Sequence, residues 1–190
     1  MNRLLVVLLL LSSLAFAQTP APQAAQPTPQ AQPTPPAAKP EDVKSMDSII
    51  AAVYDVISGP VDKERDWDRF KSLFVPGARL IPTVKPPNSL AYMARVLTPD
   101  EFATRSGQGL KQGGNGFFEK ESARRTEQWG NIAQVFSTYE SRHAPGDQPF
   151  ARGINSFQLM NDGQRWWIVT IFWQGESKDV PLTPEMLKSK

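Results

Sequence analysis

The 190-residue sequence predicts an α+β fold, a curved antiparallel sheet with three helices from the first half of the domain packed on its concave face. Two observations carry that prediction, and a third says what holds the fold together. Apolar residues recur at three- and four-residue steps early in the domain. Four strand-like runs then follow one another, with turn signals between them. There is no Cys, so an apolar core must hold the domain together without disulfides.

The chain opens with "MNRLLVVLLLLSSLAFAQ". Arg3 supplies a positive n-region, Leu4 to Leu11 an apolar h-region, and Ala15 and Ala17 an A-x-A cleavage site. Residues 1–17 therefore read as a secretory signal peptide, which predicts an exported protein of the periplasm or the extracellular space. The apolar run is too short to span a bilayer comfortably, so no membrane span is expected after cleavage. Residues 18–40 are nearly all Pro, Ala, Gln and Thr, with Lys39 the only charge. They cannot bury enough apolar surface to offset chain entropy and are expected to form a disordered, extended linker.

Residues 41–190 are long enough for one domain with its own core. The net charge is +2, and the basic residues are scattered among acids, so no nucleic-acid partner is expected. Val43, Met46, Ile50, Val53 and Ile57 mark a first amphipathic helix, stopped by Gly59-Pro60. Trp67, Phe70, Leu73 and Phe74 mark a second, stopped by Pro76-Gly77. "ARLIP" reads as a short strand, with a possible return strand over 91–96. Thr98 to Glu101 form a capping box with Pro99 at the first helical position, opening a third helix. "QGGNG" reads as a flexible break. The strand-like runs cover about 116–128, 131–142, 150–161 and 164–175. Gly130-Asn131 and Asp162-Gly163 read as short hairpin turns.

Three stretches sharpen this reading. "RDWDRFKSLFVPGARLI" resembles the second helix and first strand of the nuclear transport factor 2-like superfamily, which includes SnoaL-like cyclases and ketosteroid isomerases. "WGNIAQVFSTYESR" is similar to its Gly-x-x-Ala-x-Val strand, and "LMNDGQRWWIV" to its closing hairpin. The resemblance covers roughly residues 41–176 and identifies an exported bacterial member. It implies a cone-shaped fold with a pocket between helices and sheet, and an outer sheet face that often pairs two copies. It does not imply one activity, because the fold carries many.

A two-residue turn at Asp162-Gly163 would set Leu159 opposite Trp166, Phe157 opposite Ile168 and Asn155 opposite Thr170, all facing the helices. The ligand pocket is then expected to include Tyr54, Trp67, Tyr139, Asn155, Thr170 and Phe172. The opposite parity places Arg152, Ile154, Trp167, Ile171 and Trp173 on an outer, dimer-forming face. Glu119 and Glu121 share parity and are the candidate acid–base carboxylates, although nearby Lys120, Arg124 and Arg125 also suit surface ion pairs. His143 is the single histidine and lies in a turn-rich loop, which disfavours a Ser-His-Asp relay and an ordinary zinc site. No metal or other cofactor is expected. The functional expectation is a non-catalytic protein that binds a small apolar ligand or forms a homodimer. The alternative is an isomerase or dehydratase that uses a pocket carboxylate as general base.

Overall fold

The computed structural model describes residues 34–189. The signal peptide and residues 18–33 of the expected linker lie outside them. Ala38 already packs against the core, and the first helix, α1 (Pro40–Val43), begins two residues later. A second helix, α2 (Met46–Ile57), follows. These two replace the single helix expected here. The break falls at Ser45, which is extended and accepts a hydrogen bond from the Ser48 amide at 3.0 Å, while its own amide donates to Ser48 Oγ at 2.9 Å. A serine that can bond its neighbours' backbone competes with helix continuation and starts a new helix instead.

At the far end of α2 the guanidinium of buried Arg65 donates to the carbonyls of Ile57, Gly59, Pro60 and Lys63 at 2.5–3.0 Å. It satisfies groups that a helix C-terminus leaves without partners. Gly59 permits this approach: its φ is +150°, and a Cβ there would lie 2.9 Å from Arg65 Nη1.

Helix α3 (Trp67–Ser72) is shorter than the sequence suggested. Asp66 caps it by accepting from the Arg69 amide at 2.9 Å. Arg69 then donates to both oxygens of Asp42, at 2.8 and 2.9 Å, and tethers α1 to α3. Strand β1 (Phe74–Val84) starts immediately and is longer than "ARLIP". Pro76-Gly77 lies within a bulge of this strand, where a proline removes no ladder bond. Strand β2 (Met93–Ala94) returns against β1. Helix α4 (Pro99–Gly113) carries the expected capping box and runs through the first part of the Gly-rich stretch, ending at Gly114 with φ +67°.

The meander is β3 (Phe118–Trp129), β4 (Ile132–Arg142), β5 (Ala151–Asn161) and β6 (Trp166–Gly175). The six-stranded sheet has the order β2-β1-β6-β5-β4-β3. Its pairings are antiparallel except β1 with β6, which is parallel, so the sheet is mixed. Helices bury one face of it, and Ile49, Ile50, Phe70, Phe74, Phe157 and Ile168 form the centre of the core.

The β5–β6 register differs from expectation in two ways. Asp162 accepts from the amides of Gln164 and Arg165 and from Trp167 Nε1, which widens the turn to four residues. Asn161 therefore faces Trp166, and Leu159 faces Ile168. The next partners are Gln158 and Thr170, so Val169 is an extra, bulged residue. One inserted residue reverses the faces of everything after it. Trp166 and Ile168 face the helices before the bulge, and Ile171 and Trp173 do so after it.

The C-terminal segment turns back under the sheet. Glu176 pairs with Arg152 at 2.9 Å and accepts from the Leu182 amide at 3.0 Å. A 3-10 turn, Pro184–Leu187, packs on β3. Thr138 donates to the Met186 carbonyl, and the Arg124 amide donates to Ser189 Oγ at 3.2 Å. Trp129, Ile132, Phe136 and Phe172 remain exposed. Among the described residues, no helix is long and apolar enough to cross a membrane.

Candidate functional site

A cavity of about 320 Å³ lies between the helices and the inner face of the sheet. Its walls come from every layer: Val53 and Ile57 of α2, Trp67 and Phe70 of α3, and Phe102, Ser106 and Leu110 of α4 meet Leu80, Phe157, Ile171 and Trp173 of the sheet. Ring packing props it open. Phe102 stacks on Phe70 with centroids 5.2 Å apart, and Trp67 and Trp173 meet Phe102 edge-on at 6.5 and 6.0 Å. Gly107 lets α4 approach Trp67, since a Cβ there would lie 3.3 Å from the indole nitrogen.

Polar groups gather on the walls given by β3, β4 and β5: Glu119, Tyr139 and Asn155. Glu119 is half-buried, because it lines the cavity. Its amide donates to Ser58 Oγ at 2.9 Å, which fixes its strand against the end of α2. Ser141 donates to Glu119 Oε2 at 2.7 Å. Burial pushes the carboxyl up to about 7, against the opposing pull of Ser141 and Asn155. Burial, and then the charge of Glu119, pushes the Tyr139 phenol up to about 12. The Tyr139 hydroxyl makes no hydrogen bond among the described residues. Its ring lies across Gly153, where a Cβ would sit 2.5 Å from the hydroxyl oxygen.

A second layer orients Asn155. Its amide donates to the Tyr54 hydroxyl at 3.1 Å. Ser137 donates to Glu121 Oε1 at 2.5 Å, so the 2.7 Å bond between Tyr54 and Ser137 must be donated by Tyr54. Burial raises the Tyr54 phenol well above its ordinary value. Arg124 grips both oxygens of Glu121 at 2.7–3.0 Å and also reaches Asp47. Among the described residues, no group of three or more His, Asp or Glu could hold a metal ion.

The structure brings together part of what the sequence proposed. Trp67, Tyr139, Asn155 and Glu119 line the cavity. Tyr54 stands behind the wall and touches the site through Asn155. Glu121 is outside the lining and bound to Arg124. The Val169 bulge exchanges the rest. Thr170 and Phe172 fall on the outer face, opposite Gln158 and Ser156, whereas Ile171 and Trp173 line the cavity. Arg152, Ile154 and Trp167 keep the outer parity: Arg152 is paired with Glu176, and Trp167 lies under the Arg165 guanidinium at 3.6 Å. Phe102, Ser106 and Leu110 lie on the expected third helix, but nothing in its sequence marks which face of it meets the cavity. Phe117, which shares parity with Glu119 two residues away, was the available signal for an aromatic neighbour.

Solved structures share this architecture. One from Nostoc punctiforme, a protein of unknown function with a cystatin-like fold, is 9% identical, with a TM-score of 0.53 over 70% of this chain and 90% of that one. One from Pseudomonas putida, a nuclear transport factor 2-like protein of unknown function, is 7% identical, with a TM-score of 0.53 over 73% of this chain and 94% of that one. No protein-family description matches the sequence. No curated protein matches it either. The chain has the nuclear transport factor 2-like fold, as its sequence motifs suggested.

Proposed function

We propose that this protein binds a small, mainly apolar ligand in the cavity between its helices and sheet. The observation that carries this reading is an aromatic-walled space of about 320 Å³ on which Glu119, Tyr139 and Asn155 converge. Pockets of that composition bury the body of a ligand and orient it with a few hydrogen bonds. Native mass spectrometry of the mature protein, purified gently from its own host, tests the reading. A retained small molecule, lost in a Trp173→Ala/Phe102→Ala double variant, is the expected outcome. A protein that retains no ligand and shows no shifts at cavity residues in a fragment screen by NMR would refute it.

One observation favours a second reading, a proton-transfer enzyme of the isomerase or dehydratase type. Glu119 titrates near neutrality beside a Tyr139 hydroxyl that no described residue engages. A carboxylate so placed is suited to take a proton, and a phenol to donate a hydrogen bond to the oxygen where charge develops. The retained compound decides: exchange of its C–H protons with deuterated solvent, abolished by Glu119→Gln, would make the protein an enzyme.

The apolar outer face supports a further part of the proposal, pairing with a second copy of the chain. The N-terminal sequence supports export, with the Pro-rich residues before Ala38 as a spacer.

A further inference from the structure

We infer that the cavity selects an organic cation, an ammonium group on a small apolar body, seated against Glu119. This rests on the ligand-binding reading above and names its chemical class. Three features of the site lead to it.

First, Glu119 has no cationic partner among the described residues, whereas Glu121, two residues along the same strand, has Arg124. No Lys, Arg or His lines the cavity. An anionic ligand would meet an uncompensated like charge there, and a buried carboxylate without a cation is costly.

Second, the groups around Glu119 do not neutralise it. From β4 it faces Tyr139 and Ser141, from β5 Asn155, and from α2 Tyr54 and Ser58. Ser58 is the C-cap of α2, whose terminus carries partial negative charge. Helix α4 contributes only uncharged lining residues, Phe102, Ser106, Gly109 and Leu110. Phe117, just before β3, also lines the cavity, and Glu121 of β3 shares the parity of Glu119. His143 is exposed and stacks on Phe150, outside the cavity. Hydroxyls and an amide can hold the anion, but its charge is cancelled only by a proton or by an entering cation.

Third, the remaining walls suit a cation. The rings of Trp67, Phe70, Phe102, Phe117, Phe157 and Trp173 border the space. Aromatic faces attract ammonium groups, most strongly where water is excluded. A neutral ligand would gain the apolar contact but would leave Glu119 either charged and unpaired or obliged to keep its proton.

The test uses three probes with one phenylethyl body: 2-phenylethylammonium, 2-phenylethanol and phenylacetate. Each is titrated calorimetrically into the mature full chain from about pH 6 to about pH 9. The ammonium is expected to bind at least about tenfold more tightly than the alcohol above neutrality, with phenylacetate weakest. Its affinity should rise by up to about tenfold per pH unit below the Glu119 titration and level off above it, because the entering cation displaces a proton. Glu119→Gln should remove that pH dependence and the preference for charge, with thermal unfolding reporting that the variant is folded. An alcohol that binds as well as the ammonium, or an ammonium affinity that falls as pH rises, overturns the inference and leaves the ligand-binding reading intact. Failure of all three probes to bind overturns both.

Discussion

Glu119 and Glu121 show how two residues of one type, on one strand face, acquire opposite roles. Shared parity puts both on one face of the strand, and the sequence does not separate them. The difference is made by Arg124, which neutralises one carboxylate and not the other. Burial raises the Glu119 carboxyl to about 7, above the ordinary value of 4.5, and no described cation pulls it back. A carboxyl whose folded pKa is raised binds its proton more tightly in the native state. Stability should therefore be greatest below the unfolded value and decline as pH rises through the folded one, from about 4.5 to about 7. Glu119→Gln should flatten that decline and stabilise the protein at alkaline pH by on the order of 2 kcal/mol, allowing for solvent in the cavity. Urea titrations of both proteins across this range check it, and a parallel pH profile for the two would show that Glu119 is not the group responsible. Asn155 and Tyr139 were legible as pocket residues because they sit on regular stretches of β5 and β4, where alternation holds.

At the scale of elements, the features that sequence patterns missed are single-residue departures from regularity. On β3 the register slips between Glu121 and Ala123, with Ser122 the extra residue. Without that bulge, residues three apart would lie on opposite faces; with it, Glu121 and Arg124 face the same way and pair. The Val169 bulge similarly sends Trp173 into the cavity and Phe172 out of it. Periodicity finds the strands but carries no information about where a period is broken. Helix ends were more legible when a side chain near in sequence made them, as Thr98 does for α4, than when a later residue did. Arg65 closes α2 from eight residues beyond Ile57, where no capping pattern points to it. Arg65→Met should cost about 2–4 kcal/mol, because it leaves the Ile57 and Lys63 carbonyls without their donor, while those of Gly59 and Pro60 keep the Phe117 and Lys63 amides. Thermal unfolding measures this, and a loss below about 0.5 kcal/mol would mean that water replaces the guanidinium.

At the scale of the whole molecule, the order of helices and strands was readable because long amphipathic runs and turn signals recur in sequence. The mixed character of the sheet was not, since a parallel pairing between β1 and β6 joins residues nearly a domain apart and leaves no local trace. The outer face is shared between the C-terminal segment, docked through Met186 and Ser189, and an open region containing Trp129, Phe136 and Phe172. If two copies meet there, Phe172→Asp should shift the protein from dimer to monomer without altering cavity binding, at a cost on the order of 2 kcal/mol in association. Sedimentation velocity reads the outcome, and an unmodified protein that stays monomeric at high concentration would dismiss the pairing.

The β1–β6 pairing also sets a timetable. Strand β6 sits between β1 and β5, yet it is made last of the six. During synthesis β1 has no lateral neighbour except the two-residue β2, and the hydrophobic edge it must pair with does not yet exist. The sheet is complete only once β6 has been made. Contacts so distant in sequence are also slow to form. The nascent protein therefore carries β1 without its main partner until residues 166–175 have been made.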